Sequence, residues 1–296
     1  MPTESSPAPP TLRQVGQVLD ELYDPSWAAD WDAVGLVCGD PDASIARVLF
    51  AVDPVGEVVE EAIAWSADLM VAHHPLFLRG VHGVAATTPK GTLVHRMLTR
   101  GIALHVCHTN ADAAAPGVSD ALAAALGLTE LRPLDPRPDA PGLGTGRIGS
   151  LPRAERLDAF RDRVASALPP TAHGVRVAGD PDRSIATVAV CGGAGDSYLD
   201  LVRAVGVDAY VTADLRHHPA SEAGQYPAAP ALVDVAHWAS EWPWLADAAG
   251  RLVRALAQRG TTVETRVSTT CTDPWTLHVP SAVPAAGHRD QEGNIH

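Results

Sequence analysis

Cysteine, basic charge and long apolar runs are all scarce in this chain, and each shortage argues against a class of function. The four cysteines, Cys38, Cys107, Cys191 and Cys271, lie far apart and form no C-x-x-C pair. Neither a disulfide framework nor a thiolate zinc site is therefore expected, and the cysteines read as small buried apolar residues. Lys and Arg number 22 against 35 Asp and Glu, a formal net charge of -13. Such a surface repels nucleic acid and anionic membranes, so neither is expected as a general partner. No apolar run approaches the roughly 20 residues that span a bilayer. The start, MPTESSPAPP, has neither the basic opening nor the apolar middle of a signal peptide. A cytoplasmic protein without a membrane partner is expected.

What is present is a globular chain of 296 residues, 46% of them apolar, long enough for one large domain or two modest ones. Leu12, Val15, Val18, Leu19 and Leu22 recur at helical spacing and predict an amphipathic helix ending near Asp24-Pro25. Beyond the loop WDAVGLVCGD, apolar strands alternate with helical patterns: strands at 47–52, 68–72 and 102–107, helices at 54–65 and 90–99. Continuous apolar strands separated by helices are the pattern of a mainly parallel sheet covered on both faces. Residues 133–146, dense in Pro, Gly and Asp, read as a linker. A second set follows: strands at 147–151, 186–191, 209–212 and 231–236, and helices at 154–167, 197–205 and 237–259, the last interrupted near Pro243. Residues 261–268 could close that second sheet. The expectation is an α/β protein of two similar lobes, 11–132 and 147–279, with mainly parallel sheets and a site in the cleft between them. Residues 1–10 and 280–296 are expected to be disordered ends.

Thirteen histidines are more than a chain of this size usually needs, and imidazole is the commonest neutral metal ligand. Three groups fall at predicted strand ends. His73-His74-Pro75 places two imidazoles where each can address one of two neighbouring ions; the alternative is one buried structural histidine and one exposed. In His108-Thr109-Asn110-Ala111-Asp112, Asp112 can bridge two cations while His108 orients a ligand or a water; the alternative is an Asx turn with a helix cap. In His237-Trp238-Ala239-Ser240-Glu241, residues four apart share a helix face and can converge on a metal; the alternative is an exposed pair. Three such groups on one sheet edge favour the metal reading, with His73, His74, Asp112, His237 and Glu241 as ligands. The mixed nitrogen and oxygen set suits Zn, Fe or Mn rather than Ca or Mg. Arg216, His217 and His218 are candidates for substrate binding and proton transfer. The stretch Ala67 to Pro75 has an echo in Val207 to Pro219, both running a strand into His-His-Pro. Gly192, Gly193 and Gly195 fall short of a phosphate-loop signature.

Seven segments in order are similar to one family: WDAVGLVCGD at 31–40, HHPLF at 73–77, HTNAD at 108–112, GTGRIGSL at 144–151, TADLRHH at 212–218, DVAHWASE at 234–241 and VSTTCTDPW at 267–275. On these, nearly the whole chain resembles the dinuclear-metal-centre hexameric proteins, also called Nif-three-like or GTP cyclohydrolase 1 type 2 homologues. The resemblance implies two divalent metals per subunit on the five residues named above and a ring-shaped homohexamer. It also implies a hydrolase acting on a nucleotide. There, hydroxide generated at the metals attacks C8 of guanine, with His108 or His218 moving protons and Arg216 and His217 contacting substrate. Ala33 stands where the family often has Asn, and Ala213 where it often has Gly. A metal-dependent phosphoesterase and a non-catalytic metal-binding scaffold are the competing readings.

Overall fold

The computed structural model describes residues 8–279; the expected tail 280–296 and the first seven residues of the expected disordered start lie outside them. Helix α1 (Leu12–Leu22) begins at a reciprocal cap. Gln14 N donates to Thr11 Oγ1 at 3.3 Å and Thr11 N donates to Gln14 Oε1 at 2.8 Å, satisfying two otherwise unpaired amides. After it come β1 (Gly35–Cys38), β2 (Arg47–Ala51), α2 (Gly56–Trp65), β3 (Leu69–Ala72), α3 (Pro89–Thr99), β4 (Ala103–Val106), the short α4 (Thr109–Ala113) and α5 (Val118–Ala125). The chain continues through β5 (Thr129–Pro136), β6 (Gly144–Arg156), α6 (Leu157–Ala167), β7 (Val175–Ala178), β8 (Ser184–Ala194), α7 (Leu199–Val205) and β9 (Ala209–Ala213). It ends with α8 (His217–Ala223), β10 (Ala231–Val235), α9 (His237–Gln258) and β11 (Glu264–Val267).

The expected α/β class with two sheets is what the structure has. One sheet runs β1-β4-β3-β2-β11, parallel except for the β1 edge. The other runs β5-β6-β8-β9-β10-β7, with a parallel centre of β8, β9 and β10 and antiparallel strands outside it.

Strand periodicity decides the layering, because successive side chains face opposite sides of a sheet. Val48 and Phe50 of β2, Leu69 and Val71 of β3, Val188 and Val190 of β8, Val211 and Val233 all enter one core with α1, α5 and α9. The alternate residues, Leu49, Ala51, Met70 and Leu104, pack against α2 and α3. Ala189, Cys191, Tyr210 and Leu232 pack against α7. The two sheets therefore share a central helical layer, and α9, with Trp244, Leu245, Ala248, Leu252 and Leu256 buried, is its main member.

Five expectations are corrected. Residues 133–146 are not a linker: Pro133, Asp135 and Pro136 pair with Arg147, Thr145 and Gly144 as a hairpin of the second sheet. Proline is tolerated there because β5 is an edge strand. Residues 261–268 do not close the second sheet; β11 pairs in parallel with β2 of the first, because α9 carries the chain back across the shared core. Residues 154–156 extend β6 rather than starting a helix, and α9 passes through Pro243 without a break. Cys107 and Cys191 are buried and Cys38 half-buried as expected of small apolar residues, but Cys271 is exposed. Among the described residues no helix is long and apolar enough to cross a membrane.

Candidate metal centre

Parallel strands deliver their C-terminal ends to one edge, where loops carry polar side chains that the strands themselves cannot. Past β3 the ladder continues for two residues, His73 N donating to Ala51 O at 3.0 Å and His74 N to Val52 O at 2.9 Å. This backbone pairing fixes both imidazoles at the sheet edge. Cys107 N donates to Ala72 O at 3.0 Å and so sets His108, at the start of α4, beside them. On the opposite side β10 runs directly into α9, whose first residue is His237 and whose next turn carries Glu241.

Glu241 is the meeting point. Its Oε1 lies 3.4 Å from His73 Nε2 and 3.0 Å from His237 Nε2, and its Oε2 lies 3.1 Å from His74 Nε2. Asp112 Oδ1 is 3.8 Å from His73 Nε2, and the His108 ring centroid is 5.1 Å from that of His73. Their donor atoms fall into two groups able to hold an ion, His73-His74-His108 and His74-His237-Glu241, which share His74. The structure thus brings together His73, His74, His108, Asp112, His237 and Glu241. Arg216, His217 and His218 stand apart. They are exposed at the start of α8, the two imidazoles against each other at 5.1 Å and Arg216 Nε donating to Asp196 at 2.5 Å.

Every inner histidine is held from behind. His73 Nδ1 donates to the Cys107 carbonyl at 2.9 Å, His74 Nδ1 to Asp53 at 2.7 Å, His108 Nδ1 to Asp32 at 2.8 Å and His237 Nδ1 to Asp214 at 2.8 Å. These acceptors carry no hydrogen, so the proton sits on Nδ1 and Nε2 is turned to the centre, the arrangement metal-binding histidines usually show. Asp32 is itself anchored by Thr109, whose amide donates at 3.0 Å. Asp53 accepts from Thr272. Asp32, Asp53 and Asp214 were not among the residues expected from sequence. Asp32 lies inside WDAVGLVCGD, and Asp53 comes two residues after the end of β2, the strand beside β3, a position that a register of strand ends would have flagged.

The electrostatics of the cluster favour positive charge at its centre. Burial works against charge on His74, yet Glu241 and Asp53 outweigh it and raise the imidazole to about 10. Burial is likewise overcome at His237, raised to about 11 by Glu241 and Asp214, and at His73, raised by Glu241 and Asp112. Burial would raise Glu241, but His74, His237 and His73 hold it well below the usual carboxylate range. Burial pushes Asp112 up despite His73 and His108. His73 Nε2 and Glu241 Oε2 are buried without a partner in hydrogen-bonding geometry. Buried polar atoms left so are costly unless a proton or a metal joins them. The nitrogen and carboxylate donors, aimed inward and under-satisfied, fit a divalent metal.

Gly193 makes the approach of α9 feasible. It sits at φ +71°, and a Cβ there would lie 2.5 Å from Glu241 Oε1 and 3.1 Å from His237 Nε2. The glycine run is no phosphate cradle: Gly192 N donates to Ser119 Oγ, Gly193 N to Ser240 Oγ and Gly195 N to Ala213 O.

The family model for Duf34/NIF3 (NGG1p interacting factor 3) matches residues 10–274, and the chain belongs to that family. It is 54% identical over 275 residues to a Streptomyces coelicolor protein called GTP cyclohydrolase 1 type 2 homolog, covering 92% of this chain and 96% of that one. It is 40% identical to the Mycobacterium tuberculosis protein of the same name, covering 90% and 97%. That alignment runs over 375 residues, so the mycobacterial chain carries residues this one lacks. Among solved structures, the Bacillus cereus protein related to NIF3 superposes with a TM-score of 0.83 at 23% identity, covering 90% of this chain and 99% of that one. A Staphylococcus aureus protein does so with a TM-score of 0.80 at 26% identity, covering 91% and 99%.

Proposed function

We propose that the cluster is a dinuclear divalent-metal centre and that the protein is a metal-dependent hydrolase acting on a nucleotide. The observation that carries the metal part is the buried, unpartnered pair His73 Nε2 and Glu241 Oε2 in a ring of imidazoles whose outer nitrogens are already committed. The two donor groups that share His74 support two ions rather than one, with Asp112, 3.8 Å from His73 Nε2, serving in the first group in place of His108, and Zn, Fe or Mn suits the mixed donors. His73, His74, Asp112, His237 and Glu241 would hold the ions. Bound, they would supply Lewis acidity and lower the pKa of a coordinated water.

The chain's own residues supply the rest. Asp32 holds His108 with Nε2 inward, so His108 can take up and pass a proton without reorienting. Exposed His218 has no such hold, and the proton-transfer role passes to His108. Glycines and backbone from β8 leave the face of Glu241 open to a cavity rather than to side chains. The nucleotide rests on the names of the relatives, each called a GTP cyclohydrolase 1 type 2 homolog. The ring-shaped homohexamer and a cytoplasmic setting belong to the same reading, the former testable by light scattering.

The test is metal analysis joined to turnover. Wild type purified with Zn, Mn or Fe(II) should carry two ions per chain, and Glu241→Gln fewer than one. Metal-loaded wild type should convert at least one of a panel of guanine and adenine nucleotides, and Glu241→Gln should not. Two ions with no turnover across the panel would refute the hydrolase and leave a metal-binding scaffold. Failure to hold any metal would refute both.

A further inference from the structure

The metal cluster forms a wall between two cavities, and their chemistry differs. A 680 Å3 cavity opens on the His74 and His237 side; its one arginine, Arg176, is committed to Asp234, with Nε at 2.8 Å. A 970 Å3 cavity opens on the Asp112, His108 and Glu241 side, within the range of about 300–1,000 Å3 typical of small-molecule sites. Trp31 stands at its rim, 61% exposed, with its ring edge-on to His108 at 6.0 Å. It is not a loose surface residue, because neighbouring Asp32 is bonded to His108 and Thr109 and fixes the loop. An aromatic ring held in place and left uncovered is a stacking surface.

The same cavity has one arginine or lysine among its lining residues, Arg137. Its Nη1 reaches the carbonyl of Trp27 at 3.3 Å, which ties it to the loop that carries Trp31. It also pairs with Asp139, Nε at 3.2 Å and Nη2 at 3.3 Å, but that carboxylate is solvent-exposed, and a screened surface pair of this kind is weak enough for an incoming phosphate to displace. Against this single cation stand Asp30, Asp112, Asp135 and Glu241. With Asp112 and Glu241 given to metals, two carboxylates still face one guanidinium. The backbone amides of Gly192 and Gly193, which could otherwise receive further phosphates, already donate to Ser119 and Ser240.

We propose that this cavity binds a nucleoside monophosphate, with the base stacked on Trp31 and its reacting edge toward Asp112 and Glu241, and the phosphate on Arg137. The inference rests on the nucleotide reading above and narrows it: away from the metals, where the reaction would take place, the cavity offers a single guanidinium, and its Gly192 and Gly193 amides are already committed, so it has one place for a phosphate.

Binding of GMP, guanosine and GTP to the protein, with and without metal, tests this by calorimetry, with metal content measured after each titration. GMP should bind at least as tightly as GTP. Arg137→Met should weaken GMP by at least about tenfold and leave guanosine unchanged. Arg137→Lys should restore much of the loss. Trp31→Ala should weaken GMP and guanosine alike by about tenfold. A protein that keeps its metal and binds GMP indifferently to both residues overturns the cavity assignment alone. So does GTP binding more than about tenfold tighter than GMP. A protein without metal whose GMP binding still depends on Trp31 and Arg137 overturns the metal reading and upholds the cavity.

Discussion

Loading the centre with metal at pH 7.5 should expel at least two protons. In the metal-free protein His74 is raised to about 10 and His237 to about 11, so both imidazoles are charged at that pH, with Nδ1 bonded to Asp53 and Asp214 and Nε2 facing Glu241. A metal takes the Nε2 lone pair, so each of these protons must leave; His73, also raised, could contribute a third. Apparent affinity should then climb about a hundredfold per pH unit between roughly pH 7 and 9, because two released protons enter the binding constant squared. Without metal the sign reverses. A raised imidazole stabilises the fold fully below its ordinary value near 6.5 and loses that contribution as pH rises through the folded value. Metal-free protein should therefore weaken toward pH 10–11 while metal-loaded protein does not. Calorimetry in two buffers of different ionisation heat counts the protons directly. Release of fewer than one would show that the imidazoles are neutral in the bare site, and the electrostatic account of the cluster would be wrong.

Three further outcomes are expected. Gly193→Ala should cost about 1–2 kcal/mol for a left-handed alanine and, by driving its Cβ at Glu241 Oε1, should cut metal content; unchanged stoichiometry would count against Glu241 as a ligand. Arg147→Met should destabilise by about 3–5 kcal/mol in urea, since buried Arg147 pairs with Asp120 and donates to the carbonyls of Ala114, Gly144 and Gly146; a loss under about 1 kcal/mol would refute that role. Asp208 is lowered because amide and hydroxyl donation from Thr187 and Ala186 overcomes its burial, so its contribution holds above about pH 4 and fades as pH falls through its folded value. The melting-temperature gap between wild type and Asp208→Ala should be flat from pH 7 to 5 and narrow below 4, and a gap unchanged at pH 3 would contradict it.

The inner shell was legible because its residues cluster in short stretches at strand ends: two adjacent histidines, an His-x-x-x-Asp and an His-x-x-x-Glu are visible without knowing the fold. The outer shell was not, because each acceptor lies far off in sequence, Asp53 before His74, Asp214 before His237 and Asp32 well before His108. Sheet membership was equally hidden. Alternation tells which face of a strand is buried and nothing about which strand lies beside it, so β11 could be assigned to the wrong sheet and β5, rich in proline, to no sheet at all. The shared helical layer was invisible for the same reason, although Trp244 and its neighbours on α9 have the spacing of a buried helix.

The echo between the two halves is real, but it stops short of the histidines that suggested it. Helix α2 ends at Ser66 and α7 at Gly206, both in left-handed backbone, at φ 58° and 77°. Two residues later Asp68 accepts from the amides of Ala46 and Arg47, and Asp208 from those of Ala186 and Thr187. Each aspartate thus ties the start of β3 or β9 to the start of the preceding parallel strand. Counted from these aspartates, His73 and His74 correspond to Ala213 and Asp214, not to His217 and His218, which begin α8 four residues further on. The same strand end therefore places His74 inside the cluster in one half and Asp214 behind His237 in the other. Glu241, from the helix that both sheets share, draws the two halves onto one site, and a centre assembled this way cannot survive separation of the halves.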